Sequence, residues 1–161
     1  MKMKNRGFVL IEVIVVFGMM AVLIGLTTVN IFGIRRTASV TATIDTLVAD
    51  TRSQQTKAMS AAVQNGVVPP GYGVRFDTTQ YTLFKGLVYT PTDTSNAVVP
   101  LDPRVTFSTI SLPNNSIVFA SESGEIVGYA TSSSSVSVRQ SDSGQVKTIQ
   151  FNPYGVITSI N

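Results

Sequence analysis

Residues 8–26 read Phe8-Val9-Leu10-Ile11-Glu12-Val13-Ile14-Val15-Val16-Phe17-Gly18-Met19-Met20-Ala21-Val22-Leu23-Ile24-Gly25-Leu26, an apolar run whose one charge is Glu12. Weaker hydrophobicity continues through Val29, Ile31, Phe32 and Ile34. About 20 apolar residues suffice for a helix to cross a bilayer, so the run predicts a membrane-spanning helix over residues 8–34. Lys2, Lys4 and Arg6 precede it, which predicts a cytoplasmic N-terminus and an exported remainder. Arg35 and Arg36 on the far side weaken that asymmetry.

A secretory signal has an apolar region of about 7–15 residues that ends at a small-residue cleavage site. This run is longer, and Gly7 stands before it rather than after it. Cleavage on that near side would leave the helix on the mature chain. A plain single-pass anchor fails to explain Glu12, because a carboxylate inside a bilayer costs roughly 2.5–3.5 kcal/mol and such residues need partners. A free α-amine on Phe8 would supply one. Glu12 is four residues on, about 6 Å along a helix axis, within reach of the amine of its own chain or of a neighbour.

The segment Lys4-Asn5-Arg6-Gly7-Phe8-Val9-Leu10-Ile11-Glu12-Val13 resembles the type III signal of type IV prepilins and type II secretion pseudopilins. That family has a short basic leader, a glycine before the cleavage point, a phenylalanine after it, a glutamate four residues further on, and then an apolar helix. Val9 and Val13 depart from the threonine and leucine usual there. The resemblance implies cleavage between Gly7 and Phe8 by a membrane prepilin peptidase and N-methylation of Phe8. It implies pairing of Glu12 with the N-terminus of an adjacent subunit during assembly. The implied partners are other pilins or pseudopilins in a helical filament, an assembly platform protein, and membrane lipid beforehand. The chain would sit in the cytoplasmic (inner) membrane and then in a periplasmic or extracellular filament. Gly18 and Gly25 are seven apart and share a helix face, which suits close packing in a filament core. Local weakness of the helix is the equal alternative.

The predicted organisation is α+β: leader 1–7, hydrophobic helix 8–34, amphipathic continuation 35–66 and exported β-rich head 67–161. In the continuation, Ile44, Leu47, Val48, Met59, Ala62 and Val63 follow helical spacing, and Asn65-Gly66 before Pro69-Pro70 marks the stop. Period-two patterning then predicts antiparallel strands at 73–76, 81–84, 87–89, 104–111, 116–120, 126–130, 135–140, 145–151 and 156–160. Hairpin turns are expected at 77–80, 121–125, 141–144 and 152–155, with a proline-bounded loop over 91–103. Sandwich and single curved sheet both remain open.

Within the head, Gly71-Tyr72-Gly73-Val74-Arg75-Phe76 with Tyr81-Thr82-Leu83-Phe84, and the ending Ile149-Gln150-Phe151-Asn152-Pro153-Tyr154-Gly155-Val156-Ile157, resemble the H-type minor pseudopilins (the GspH/FimT group). Arg52-Ser53 matches that group's Arg-Ser near the helix end. The resemblance does not extend over the middle of the head, Leu87 to Gln140.

The 161 residues contain no His, Cys or Trp, and charged residues make up 13%. Disulfides, thiolate metal sites and imidazole bases are therefore excluded, leaving carboxylates and lysines for any catalysis. No enzyme, cofactor or metal is expected. Lys57 with Ser60 reads as a solvated helix face, Gly71-x-Gly73 has no helix after it to form a phosphate loop, and Asp93-Thr94-Ser95-Asn96 has too few acids for a calcium loop. Three of the twelve basic residues lie in the first six positions, and without them nine bases face nine acids. The bulk charge thus predicts no polyanion partner. DNA capture by a competence pilin is the sharper alternative, with Arg139 and Lys147 as its contacts, Gln140, Gln145 and Gln150 nearby, and Tyr129 and Tyr154 available to stack. A major pilin is a further alternative to a minor pilin or pseudopilin.

Overall fold

The computed structural model describes residues 10–63 and 66–160, and over 25–39 the backbone alone. The architecture is α+β: helix α1 (Leu10–Met59) followed by eight strands in two antiparallel sheets. The chain divides into two units, Met1–Thr37 and Ala38–Asn161.

In the first unit, α1 carries the apolar run. Its described side chains, residues 10–24, cover about 22 Å at 1.5 Å per residue. A bilayer core is about 30 Å thick. Among the described residues no helix is long and apolar enough to cross a membrane. Phe8 and Val9, and the side chains beyond Ile24, lie outside the described residues.

In the second unit, four-residue to seven-residue strands form two four-stranded sheets. The first has the order β3 (Ala97–Pro100), β2 (Gln80–Lys85), β1 (Gly71–Asp77), β5 (Ser116–Ala120). The second has the order β4 (Val105–Ser111), β6 (Ser135–Gln140), β7 (Val146–Phe151), β8 (Ile157–Ile160). Alternation places Tyr72, Val74, Phe76 and Tyr81 of one sheet, and Val105, Phe107, Val136, Val138, Ile149 and Phe151 of the other, in one core. Phe76 and Phe107 meet edge to face at 5.3 Å, joining the sheets. Each such buried side chain contributes about 1.5–3 kcal/mol.

The helix adds Val40, Ile44, Leu47, Thr51, Gln54 and Ala58 to that interior, all buried at spacings of three and four. This corrects the expected stripe. Ile44 and Leu47 are buried and Val48 packs against the core, but Met59 and Val63 are 57% and 64% exposed. The 3.6-residue period runs on from Leu47 through Thr51 and Gln54, and their polar groups are satisfied. The Thr51 hydroxyl donates to the Leu47 carbonyl at 2.7 Å. Gln54 Nε2 donates to the carbonyls of Gly73 and Phe84 at 3.0 and 3.3 Å.

The helix also stops earlier than Asn65-Gly66. Ala61 has φ +46°, its N–H donates to the Ala58 carbonyl, and the Ala62 N–H donates to Lys57, both at 3.0 Å. This pair of bonds is a Schellman cap with alanine where glycine is usual. Contacts from the β region hold it: the Glu122 N–H, in the turn after β5, donates to the Ala58 carbonyl at 2.9 Å, and the Tyr72 hydroxyl of β1 to the Ala62 carbonyl at 2.6 Å.

Seven of the nine expected strands are present, and two are not. Residues 86–88 form a bend instead, with Gly86 at φ +102°, and Tyr89 packs edge-on against Phe84 at 5.5 Å. Residues 126–130 hold only isolated bridges, Phe119 to Ile126 and Ala130 to Ser133. The expected loop 91–103 contains a strand, β3, because Ala97–Pro100 pairs with β2 as an edge. Turn 121–125 joins no regular hairpin, since β5 pairs with β1. The other three turns join β1–β2, β6–β7 and β7–β8 as expected.

Candidate functional site

Residues 10–24 form the most distinctive surface among the described residues. In a globular helix the apolar side chains occupy one stripe. Here Leu10, Ile14 and Phe17 are exposed, and so are Ile11, Val15, Val16, Met19, Met20, Val22, Leu23 and Ile24, on every side of the cylinder. Exposure runs from 37% at Val13 to 79% at Leu10. A helix apolar all round belongs in lipid or among other helices. Glu12 lies in its first turn and is exposed.

At Gly18 an added Cβ would meet nothing within 4 Å. The glycine therefore leaves a notch between Val15, Met19, Val22 and Leu23. Such a notch admits the close approach of a second helix. Gly25 lies in the helical backbone with its surroundings outside the described side chains, and Gly7 and Phe8 lie outside the described residues.

The second unit does not assemble the sequence-predicted DNA contacts. Lys147 stands opposite Val138, and Arg139 opposite Val146. Directly paired residues share a face and successive residues alternate, so Arg139 and Lys147 lie on opposite faces of the sheet. Gln140 is fully buried, its Oε1 accepting from the Ser143 hydroxyl at 2.9 Å. Tyr154 is exposed, whereas Tyr129 is half-buried with its hydroxyl donating to the Phe151 carbonyl at 3.4 Å.

The remaining candidates serve local structure. Lys57 Nζ donates to Gln54 Oε1 at 3.3 Å, and the Ser60 hydroxyl to the Lys57 carbonyl at 3.2 Å, so the two do not form a couple. Asp93 Oδ1 accepts the Ser95 N–H and hydroxyl at 2.8 and 2.7 Å, bonds that hold its carboxyl below the usual range. Among the described residues no three acids group to hold a metal. Gly71 and Gly73 give room in the sheet: a Cβ on Gly73 would collide with the Phe84 ring.

Sequence reasoning missed the polar contacts that tie α1 to the sheets. Besides Gln54, Gln55 Nε2 donates to the carbonyls of Gly124 at 3.0 Å and Tyr154 at 2.6 Å. The Tyr81 hydroxyl donates to Asp50 at 2.5 Å. Burial, then the Asp50 hydrogen bond and charge, push the Tyr81 hydroxyl well above the usual tyrosine range. The available signal was register: residues 51 and 54 continue the spacing of 40, 44 and 47.

No family model matches the chain, and no curated protein and no solved structure matches it.

Proposed function

We propose that this chain is a subunit of a membrane-born helical filament, a minor pilin or pseudopilin of a type IV pilus, type II secretion or DNA-uptake system. The observation that carries the reading is the helix over residues 10–24, apolar and exposed on every side with one carboxylate in its first turn. Burying each large side chain there is favourable by about 1.5–3 kcal/mol. The segment therefore partitions first into lipid and then among like helices. The second unit, two antiparallel sheets on the amphipathic part of α1, fits a pilin-like head exposed on the filament.

Prepilin peptidase cleaves between Gly7 and Phe8, and Phe8 is N-methylated. The new amine and Glu12 of an adjacent subunit then form an ion pair that sets subunit register in a low-dielectric core. Gly18 and Gly25 permit the helices to approach closely. The assembly platform lifts the subunit from the inner membrane into the filament. The role is structural, without a catalytic step.

Mass spectrometry of the mature N-terminus tests the assignment. Methylated Phe8 is expected. An intact Met1, or a cut beyond Leu26, rejects it.

A further inference from the structure

We propose that the recess formed by Gln54, Lys57, Tyr72, Lys85 and Ser95 binds a small oxyanion of the phosphate class. Two cations reach it from different elements, Lys57 from α1 and Lys85 from the end of β2. Lys85 stands opposite buried Tyr72 in the β1–β2 ladder, so it emerges on the face turned toward the core. Lys57 is positioned by a buried amide. Gln54 is 2% exposed, its Nε2 is committed to the Gly73 and Phe84 carbonyls, and its Oε1 therefore points at the ammonium, 3.3 Å away.

No acid lines the recess. Among the described residues the ion pairs are Arg75–Asp77 and Arg104–Asp102, and neither includes these lysines. Asp93 feels the charge of Lys85, but its Oδ1 is engaged by Ser95 and it forms no ion pair with that lysine. Two half-buried lysines thus line one recess, and neither forms an ion pair with an acid of the chain.

The volume is about 70 Å³. That exceeds the roughly 10–15 Å³ that one water needs in the same measure and is far below the roughly 300 Å³ or more of pockets for drug-sized ligands. It suits one tetrahedral ion. Lysine binds phosphate as a point charge, and two lysines match a dianion.

The test is calorimetric titration of the full chain in maltoside micelles, with sodium chloride at matched ionic strength as reference. Inorganic phosphate and glycerol 3-phosphate, a soluble lipid headgroup fragment, form separate arms. Saturable binding is expected, weakened at least about fivefold by Lys57→Gln or by Lys85→Gln and unchanged by Lys147→Gln. Equal affinity in the two arms identifies the free ion as sufficient, and tighter glycerol 3-phosphate identifies a headgroup. Heats matched by chloride, or both recess variants binding like the parent chain, overturn the proposal.

Discussion

The two described stretches of α1 share a secondary structure and oppose each other in every other respect. Residues 10–24 are the more apolar, yet all their large side chains are exposed. Residues 40–58 are richer in Thr, Gln and charge, yet bury one position in every three or four. Hydrophobicity alone therefore does not tell which part of a helix is inside its own domain. Periodicity does: a stripe is solved within the chain, and an all-round apolar surface is solved only by lipid or other helices.

The largest expected effect follows from the exposed stretch. With Glu12→Ala, the helix keeps its exposed apolar surface but loses the carboxylate proposed to pair with the Phe8 amine. Sheared filament should fall by more than about tenfold, as expected for losing a charge pair worth over 1.4 kcal/mol per contact, while the membrane pool stays unchanged. Filament at parent yield would show that the acid has no part in register.

Next comes a direct contrast of the two stretches. Leu47→Ala removes a side chain 1% exposed and should lower the stability of the second unit by about 2–5 kcal/mol. Val16→Ala, at a position 53% exposed, should change it by less than about 0.5 kcal/mol. Urea unfolding of the full chain in micelles, followed by tyrosine fluorescence, measures both. Equal losses would erase the distinction between the stretches.

Tyr81→Phe probes the polar seam of the packed stretch. Loss of the hydrogen bond to half-buried Asp50 should cost about 1–1.5 kcal/mol at neutral pH. The folded hydroxyl titrates above the ordinary value of about 10. A raised folded value means that the contribution is fully present below about pH 10 and is lost as pH rises through the folded value. The stability difference between parent and variant should therefore be flat to about pH 10 and shrink above it. A difference that shrinks between pH 5 and 8 instead would assign the effect to another group.

How much of this was legible follows the same division. Alternation in short strands such as Val136, Val138 and Ile149 gave the sheets away, because one buried face imposes period two. Strand β3 within a proline-bounded loop, and the absence of strands at 87–89 and 126–130, depend on which edge is paired across space, and local pattern does not encode that. Gln54 is a polar residue with no local sign of burial. Its burial depends on two carbonyls, of Gly73 and Phe84, that are 19 and 30 residues away in sequence. The opposite facing of Arg139 and Lys147 required the β6–β7 register, which the intervening turn had to fix first. In the first unit the reverse holds: the decisive features, Glu12 and the unbroken apolar run, are legible in the sequence, whereas Gly7 and Phe8 lie outside the described residues.

The smallest effect concerns where the packed stretch ends. Ala61 adopts a left-handed conformation that costs an L-residue about 1–2 kcal/mol, although Asn65-Gly66 offers a residue suited to it five positions later. Strand β1 and the turn after β5 decide the matter by supplying the Tyr72 hydroxyl and the Glu122 N–H to the carbonyls of Ala62 and Ala58. Ala61→Gly removes the strain but adds unfolded-state entropy of roughly 0.5–1 kcal/mol, so the net gain should be up to about 1 kcal/mol. It should appear as a higher unfolding midpoint in urea with unchanged slope. A loss of stability of similar size would mean that residue 61 is helical in solution, with the stop moved on toward Gly66. The end of the packed stretch would then be set by local propensity, as in an isolated helix, rather than by what the sheets hold in place.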